Sequence, residues 1–236
     1  MSEESKKVLG ITVLPIFGLP LVLLPFEFLP LHLFEPRYRE MLADVQMEKN
    51  FFGVSRFEPT DISPENPEVG SIGCVAEIHE VQTLDDGRSN ILTVGVIRYR
   101  ITGYLNTDKP YPIAEVEFFE DDENDKEQET KELAGEVFSL FRRVARAAHQ
   151  ASGNLGQLPD IPQAEPEQLS FLISAAFGLD NRVKSEILET RSTFERLTTI
   201  NSVLKKEVVK VEEMIDINKK SRTNGHIKKK IDLDGM

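Results

Sequence analysis

Apolar and polar positions along the chain fall into two regimes. Up to about residue 119 the apolar residues come in short runs or alternate with polar ones, which is the period of β-strands. From about Glu127 they recur three and four apart, which is the period of helices. The first regime opens with an uncharged run from Val8 to Phe26. "ITVLPIF" and "LPLVLLP" within it are too uniformly apolar for half-exposed strands and predict strands covered on both faces. "PLHLF" is a third extended piece. "EPRYREMLADVQMEK" then changes period. Pro36 suits a first helical position, Glu35 before it favours a helix N-terminus, and Tyr38, Met41, Leu42 and Val45 mark one face.

Phe51–Phe57 predicts a strand returning to the core, and "EPTDISPENPE" a proline-rich loop. "GSIGCVAEIHEVQTL" and "SNILTVGVIRYRITGYL" predict a long hairpin. Asp86-Gly87 lies at its turn, where both central residues can take positive φ. "PYPIAEVEFFE" is one more strand. The acidic run "EDDENDKEQE" reads as a solvated linker, after which helical periodicity spans about Glu127 to Gln150 and resumes near Glu167. Asp180 predicts the cap of a short helix carrying Val183, Ile187 and Leu188, and "STFE" (192–195) matches a capping box opening the last helix. That helix carries Leu197, Asn201, Leu204, Val208, Val211 and Ile215 in a 4-3 pattern. The pattern suits a helix packed on its neighbours or, with Asn201 setting register, a seam for self-association.

The uncharged run also poses a question of medium, because about 20 apolar residues span a bilayer. Pro15, Pro20, Pro25 and Pro30 fall at five-residue intervals. Each removes a backbone donor, and lipid offers no replacement. "MSEESKK" mixes charges and leads to no small-residue cleavage site, so a signal peptide fits poorly. The run predicts a soluble core with no membrane partner.

Composition narrows the picture further. The formal net charge of −12 over 236 residues opposes a general nucleic-acid binder, whose affinity comes from neutralising phosphates. A single cysteine, Cys74, excludes an internal disulfide framework and a cysteine-based zinc site, and points to the cytoplasm. His32, His79, His149 and His226 show no metal-ligand spacing, and no G-x-x-x-x-G-K-[ST] phosphate loop occurs. Lys184 and Ser185 are adjacent on a helix and diverge, so they form no nucleophile–base pair. No catalytic constellation, metal site or cofactor site is predicted.

The run from Leu14 to Tyr38 resembles the opening of the Lon protease N-terminal domain family. Leu29 through Tyr38 ("LPLHLFEPRY") carry the match most closely, and Leu14-Pro15, Phe17 and Leu19 more loosely. Further matches follow in order: Phe52-Gly53-Val54, Gly70 with Ile72-Gly73, Ala76-Glu77-Ile78, Asp86-Gly87-Arg88, Gly95 with Arg98-Tyr99, Ala114-Glu115-Val116, "LSFLISAAFGLD" and "FERL". The resemblance implies an α+β fold, with an N-terminal PUA-like β pseudo-barrel followed by a C-terminal α-helical bundle and a long last helix. Expected bounds are a flexible tail at 1–7, the β-rich part at 8–122, the helical part at 123–218 and a disordered tail at 219–236. It implies a stand-alone, non-catalytic module that recognises unfolded polypeptide or a partner protein and can serve a separate protease. An enzyme of unrecognised type and an RNA-binding PUA-like protein are the alternatives.

Candidate binding residues are polar groups embedded in apolar runs: Glu35, Arg37, Tyr38 and Arg39 after the third strand, and Arg98 and Arg100 on the hairpin. Two readings compete. In one, these groups pair with each other or with backbone carbonyls and lock a helix against the barrel, since an unpaired buried charge is costly. In the other, they line a groove for an extended peptide.

Overall fold

The computed structural model of the chain describes residues 2–58, 66–123, 126–151 and 164–224. Among these lie six strands and six helices. In chain order they are α1 (Glu3–Lys7), β1 (Val13–Leu19), β2 (Phe28–Leu33), α2 (Pro36–Gln46), β3 (Phe51–Arg56), β4 (Ile72–Thr83), β5 (Ser89–Leu105), β6 (Ile113–Phe119), α3 (Glu127–Ala151), α4 (Pro166–Ala176), α5 (Asn181–Glu189) and α6 (Thr193–Asn224). The class is α+β, as the switch in periodicity predicts.

The strands form one mixed sheet in the order β2-β5-β4-β3-β1-β6. β5 also pairs with β6, which closes β5, β4, β3, β1 and β6 into a ring and leaves β2 as an added strand on β5. β5 can serve three partners because it is 17 residues long. Its first half runs between β2 and β4, and its second half between β4 and β6. β1 and β3 are the parallel pair, joined through β2 and α2.

Two cores result. Inside the ring, Leu14, Ile16, Phe51, Val75, Tyr99, Ile101, Ala114 and Val116 pack together. The Tyr99 ring fits because two strands carry glycine opposite it. A Cβ at Gly53 or at Gly73 would come within 2.5 Å of the Tyr99 hydroxyl. That hydroxyl hydrogen-bonds Ser55 Oγ at 2.8 Å, which satisfies the buried polar atom. The outer core joins Phe17, Phe52 and Val54 to α2 and to the helices. α2 buries Tyr38, Met41, Leu42 and Val45, the face read from the sequence. α3 packs along α6, α4 contacts both, and α5 contacts α4 and β4.

Four expectations change. "LPLVLLP" is not a strand. Val22, Leu23 and Leu24 are buried in an irregular segment between Pro20 and Pro25. It crosses Gly95 so closely that a Cβ there would lie 2.1 Å from the Leu24 carbonyl oxygen; the Leu24 N–H donates to the Glu27 carboxylate, and the Phe26 N–H, just past Pro25, to the Gly95 carbonyl. The hairpin turn has one positive-φ residue, Gly87, and not two. Asp86 instead accepts from the Arg88 N–H. Residues 3–7, read as a flexible tail, form α1. Ser2 caps it, Val8 is buried in the ring, and Glu120 accepts from Ser2 N (2.8 Å) and Ser5 Oγ (2.6 Å). Finally, α6 continues through 219–224, and the remainder of the expected tail, 225–236, lies outside the described residues.

Candidate functional site

The six residues singled out from the sequence do not converge on one place. Glu35 and Arg37 form a local pair at the start of α2, with Arg37 Nε and Nη2 each 2.9 Å from Glu35 Oε2. Both side chains are well exposed, 39% and 46% respectively. Arg37 lies 4.5 Å over the Tyr38 ring, and Tyr38 packs on Phe17 with ring centroids 4.0 Å apart. Burial raises the Tyr38 pKa, so the phenol is a neutral anchor. Arg39 is exposed, and its guanidinium lies over Gly87 at the hairpin turn. Arg100 donates to the Gly70 carbonyl (3.1 Å) on another side of the sheet, in an open groove of about 710 Å³ that it lines with Arg56, Ser185 and Glu189.

Arg98 is different in kind. It is 2% exposed, donates to the carbonyls of Leu188 (3.3 Å) and Thr190 (2.7 Å), and pairs with Asp121 at 2.5 Å. Asp121 is shared with Arg196, which is fully buried. Arg196 Nη1 and Nη2 each reach an Asp121 oxygen at 2.6 Å, and Nε donates to Ser170 Oγ. The Thr193 hydroxyl also donates to Asp121. The Phe171 ring lies against both guanidinium groups, 4.3 Å from Arg196 and 5.3 Å from Arg98. Burial pulls the Arg98 pKa down and Asp121 holds it up. This arginine–aspartate–arginine cluster joins β5 to α4, to the α5–α6 junction and to the segment after β6. Its donors are taken up by protein acceptors, so its chemistry is that of a lock.

Sequence reasoning missed Arg196 and placed Asp121 in a solvated linker. The available signal was the helical spacing of Arg196 with Ile200 and Leu204, all three buried. It also missed the Lys184–Glu27 pair (2.5 Å, largely buried), which ties α5 to the segment before β2. Among the described residues, no group of histidine, cysteine and carboxylate side chains has metal-site geometry. Burial drives the Cys74 thiol pKa upward, out of the reactive range. None of the described helices is long and apolar enough to cross a membrane.

A second region emerges from β2. Residues paired across an antiparallel ladder point to the same face. Leu29, Leu31 and Leu33, with Thr93, Ile91 and Ser89 opposite, face the core. Phe28, Pro30 and His32, with Val94, Leu92 and Asn90 opposite, face outward. Phe28 is 67% exposed and Phe34, stacked on His32, is 61% exposed. Leu92 and Val94 are half-buried beside them, and on β4 the register adds Glu80 and Glu77 to the same face. The result is an apolar surface two strands wide with carboxylates along its far side.

The architecture is thus an α+β domain with a ring-closed mixed sheet, a buried ionic lock and an exposed apolar sheet face. The chain belongs to the LON substrate-binding domain family. The family model, described as the ATP-dependent protease La (LON) substrate-binding domain, matches residues 13–206. The Lon protease of Koribacter versatilis is 27% identical over 187 residues, covering 79% of this chain and 23% of that protein. The Lon protease of Brevibacillus choshinensis is 27% identical over 221 residues, 91% of this chain and 27% of that protein. The chain therefore spans about a quarter of the length of these curated relatives. Among solved structures, the Lon N-terminal domain protein from Xanthomonas campestris superposes with a TM-score of 0.56 at 22% identity, covering 81% of this chain and 98% of that one. The N-terminal domain of Mycobacterium avium complex Lon protease gives 0.56 at 20% identity, covering 84% and 98%.

Proposed function

We propose that this chain is a non-catalytic polypeptide-binding module that captures unfolded segments of other proteins. The observation that carries the reading is the exposed apolar face of β2 and β5, built on Phe28, Phe34, Leu92 and Val94. Exposed aromatic side chains in a contiguous patch favour a protein contact, because burying each recovers about 2 kcal/mol. Unfolded chains differ from folded ones in offering apolar side chains to such a surface. Membership of a family described as substrate-binding supports the same reading.

In this reading Glu35, Arg37 and Arg39, exposed where β2 passes into α2, form a polar rim beside Phe34. Tyr38 seats that rim on the core, Arg98 acts in the lock, and Arg100 lies apart. The two halves, 8–122 and 123–218, act as a PUA-like pseudo-barrel and a helical bundle whose last helix extends beyond it. The module works in the cytoplasm and hands bound segments to a separate protease. The part of the α6 seam from Leu197 to Val208 is buried, and the side chains of Val211 and Ile215, which complete the seam, lie outside the described residues.

The test is fluorescence anisotropy with a labelled, permanently unfolded protein, a folded control and an RNA oligomer. Preferential micromolar binding of the unfolded chain is expected, with a loss of about tenfold or more in Phe28→Ser/Phe34→Ser. Equal binding of folded and unfolded protein, or retention by RNA alone, would overturn the reading.

A further inference from the structure

Among the described residues, β2 pairs on one side only, with β5. Its hydrogen-bonding phase can be read from two contacts. The Glu27 carbonyl accepts from Gly95 N at 2.9 Å, which fixes the phase of the ladder. The Leu29 carbonyl, two residues on, faces β5 and takes the Thr93 hydroxyl at 2.9 Å. Alternation then turns the backbone groups of Phe28, Pro30 and His32 to the free edge. Pro30 fits this phase, since its missing N–H falls on the unpaired side.

Edge strands that must stay single are usually guarded by charges, bulges or a covering element. From Phe28 to Leu33 β2 carries no charged residue, and its exposed side chains are Phe28, Pro30 and His32. Pro30, at the middle, acts selectively. Symmetric pairing of two copies of β2 centred on the outward residue Pro30 sets Pro30 against Pro30, where neither offers an N–H. A foreign strand meets only one such gap and can pair with Phe28 and His32 on either side. Charge points the same way. The chain carries a formal −12, and on the outward face Glu80 lies beside Glu77, whose carboxylate pairs with Lys7, so the excess of negative charge disfavours a second copy and favours a segment bearing Lys or Arg.

We propose that an extended segment of apolar and basic residues binds by adding a strand to the free edge of β2, hydrogen-bonded to Phe28 and His32 with its side chains against Phe28 and Phe34. The proposal rests on the polypeptide-binding reading and gives it a mechanism. Backbone pairing makes capture tolerant of sequence and restricts it to segments whose own backbone is unpaired, which is the property that marks an unfolded chain.

The test uses the full chain and a short fluorescent peptide alternating valine and lysine. A second peptide of identical side chains carries N-methyl groups on alternate residues, which removes the donors along one edge and leaves charge and apolar surface in place. Strand addition predicts that N-methylation weakens binding by about tenfold or more. His32→Pro, which removes an outward N–H, should weaken the unmodified peptide severalfold, while His32→Ala should not. Equal affinity for the two peptides would overturn strand addition and leave side-chain capture standing. If neither peptide binds while the permanently unfolded protein does, strand addition at β2 is likewise overturned. If none of the three binds, the polypeptide-binding reading fails as well.

Discussion

Two regions of this protein use the same residue types to opposite ends. At the junction of sheet and helices, Arg98, Asp121 and Arg196 are withdrawn from water and bonded to one another, to the Thr190 carbonyl and to Ser170. Where β2 passes into α2, Glu35 and Arg37 pair in solvent beside exposed Phe34. In the first region charge is inside and aromatic rings cover it. In the second, aromatic rings are outside and charge borders them. The contrast separates what holds the fold from what can meet a partner. An arginine in an apolar run signals a lock when its neighbours on other elements supply acceptors. It signals a surface when its partner sits two residues away.

The sharpest way to break the contrast is Asp121→Ala, which leaves two buried guanidinium groups without their carboxylate. An expected loss of about 3–5 kcal/mol in unfolding free energy, read by urea denaturation, would mark the cluster as the lock. Replacing Arg98, Asp121 and Arg196 together by Met, Leu and Met should cost much less than the single change, because it removes the charges as well as their bonds. A single-variant loss under about 1 kcal/mol would mean that water reaches the cluster. Next in size is Gly95→Ala. The added methyl meets the Leu24 carbonyl oxygen, and the expected cost of about 1–3 kcal/mol should fall on the anchored start of β2. Hydrogen exchange would show it as faster opening of β2 than of β3.

Acid offers a gentler probe. Hydrogen bonds from Ser2 and Ser5, through the Ser2 amide and the Ser5 hydroxyl, pull the Glu120 carboxyl down to about 2. Because this lies below the unfolded value, the anchorage of α1 is at full strength above about pH 4.5. It is lost as pH falls through the range from there to about 2. Glu120→Gln should flatten that dependence. NMR shifts of the Ser5 amide are the readout, and an unchanged acid profile in the variant would assign the transition elsewhere.

Much of the fold was legible because burial imposes period. The α2 face, the Asp180 cap and the two long strands of the hairpin follow from spacing alone. "LPLVLLP" misled because an apolar run between prolines reads the same whether it pairs in a ladder or crosses one. What set it apart was Gly95, far downstream in sequence, whose missing side chain admits the crossing. The lock was hidden for a similar reason. Asp121 sits in an acidic run, and only the approach of α6 and of Arg98 on β5 distinguishes it from Asp122, which pairs with Arg191 at an exposed position. The apolar outward face was hidden by the opposite effect. Phe28, Leu92 and Val94 look like core residues in any hydropathy pattern, and only the ladder register turns them out. Long-range pairing therefore decided each case that local spacing could not.

The smallest expected effect tests the rim. Glu35→Ala and Arg37→Ala, alone and together, form a cycle in which an exposed pair should couple by no more than about 1 kcal/mol. The coupling should shrink further as salt rises, since solvent separates little of the pair from its ions. Tyr38 makes the expectation stricter. Arg37 rests on its ring, so Arg37→Ala also removes that stacking, whereas Glu35→Ala does not. The two single changes should then differ by the stacking contribution, about 0.5–1 kcal/mol, with Arg37→Ala the more costly. Peptide affinity should respond in the other order. Removing Glu35 takes away an attraction for a basic segment, and removing Arg37 relieves a repulsion. A coupling above about 2 kcal/mol, insensitive to salt, would place Glu35 and Arg37 with Arg98 among the residues that hold the fold, and the rim would have to be redrawn without them.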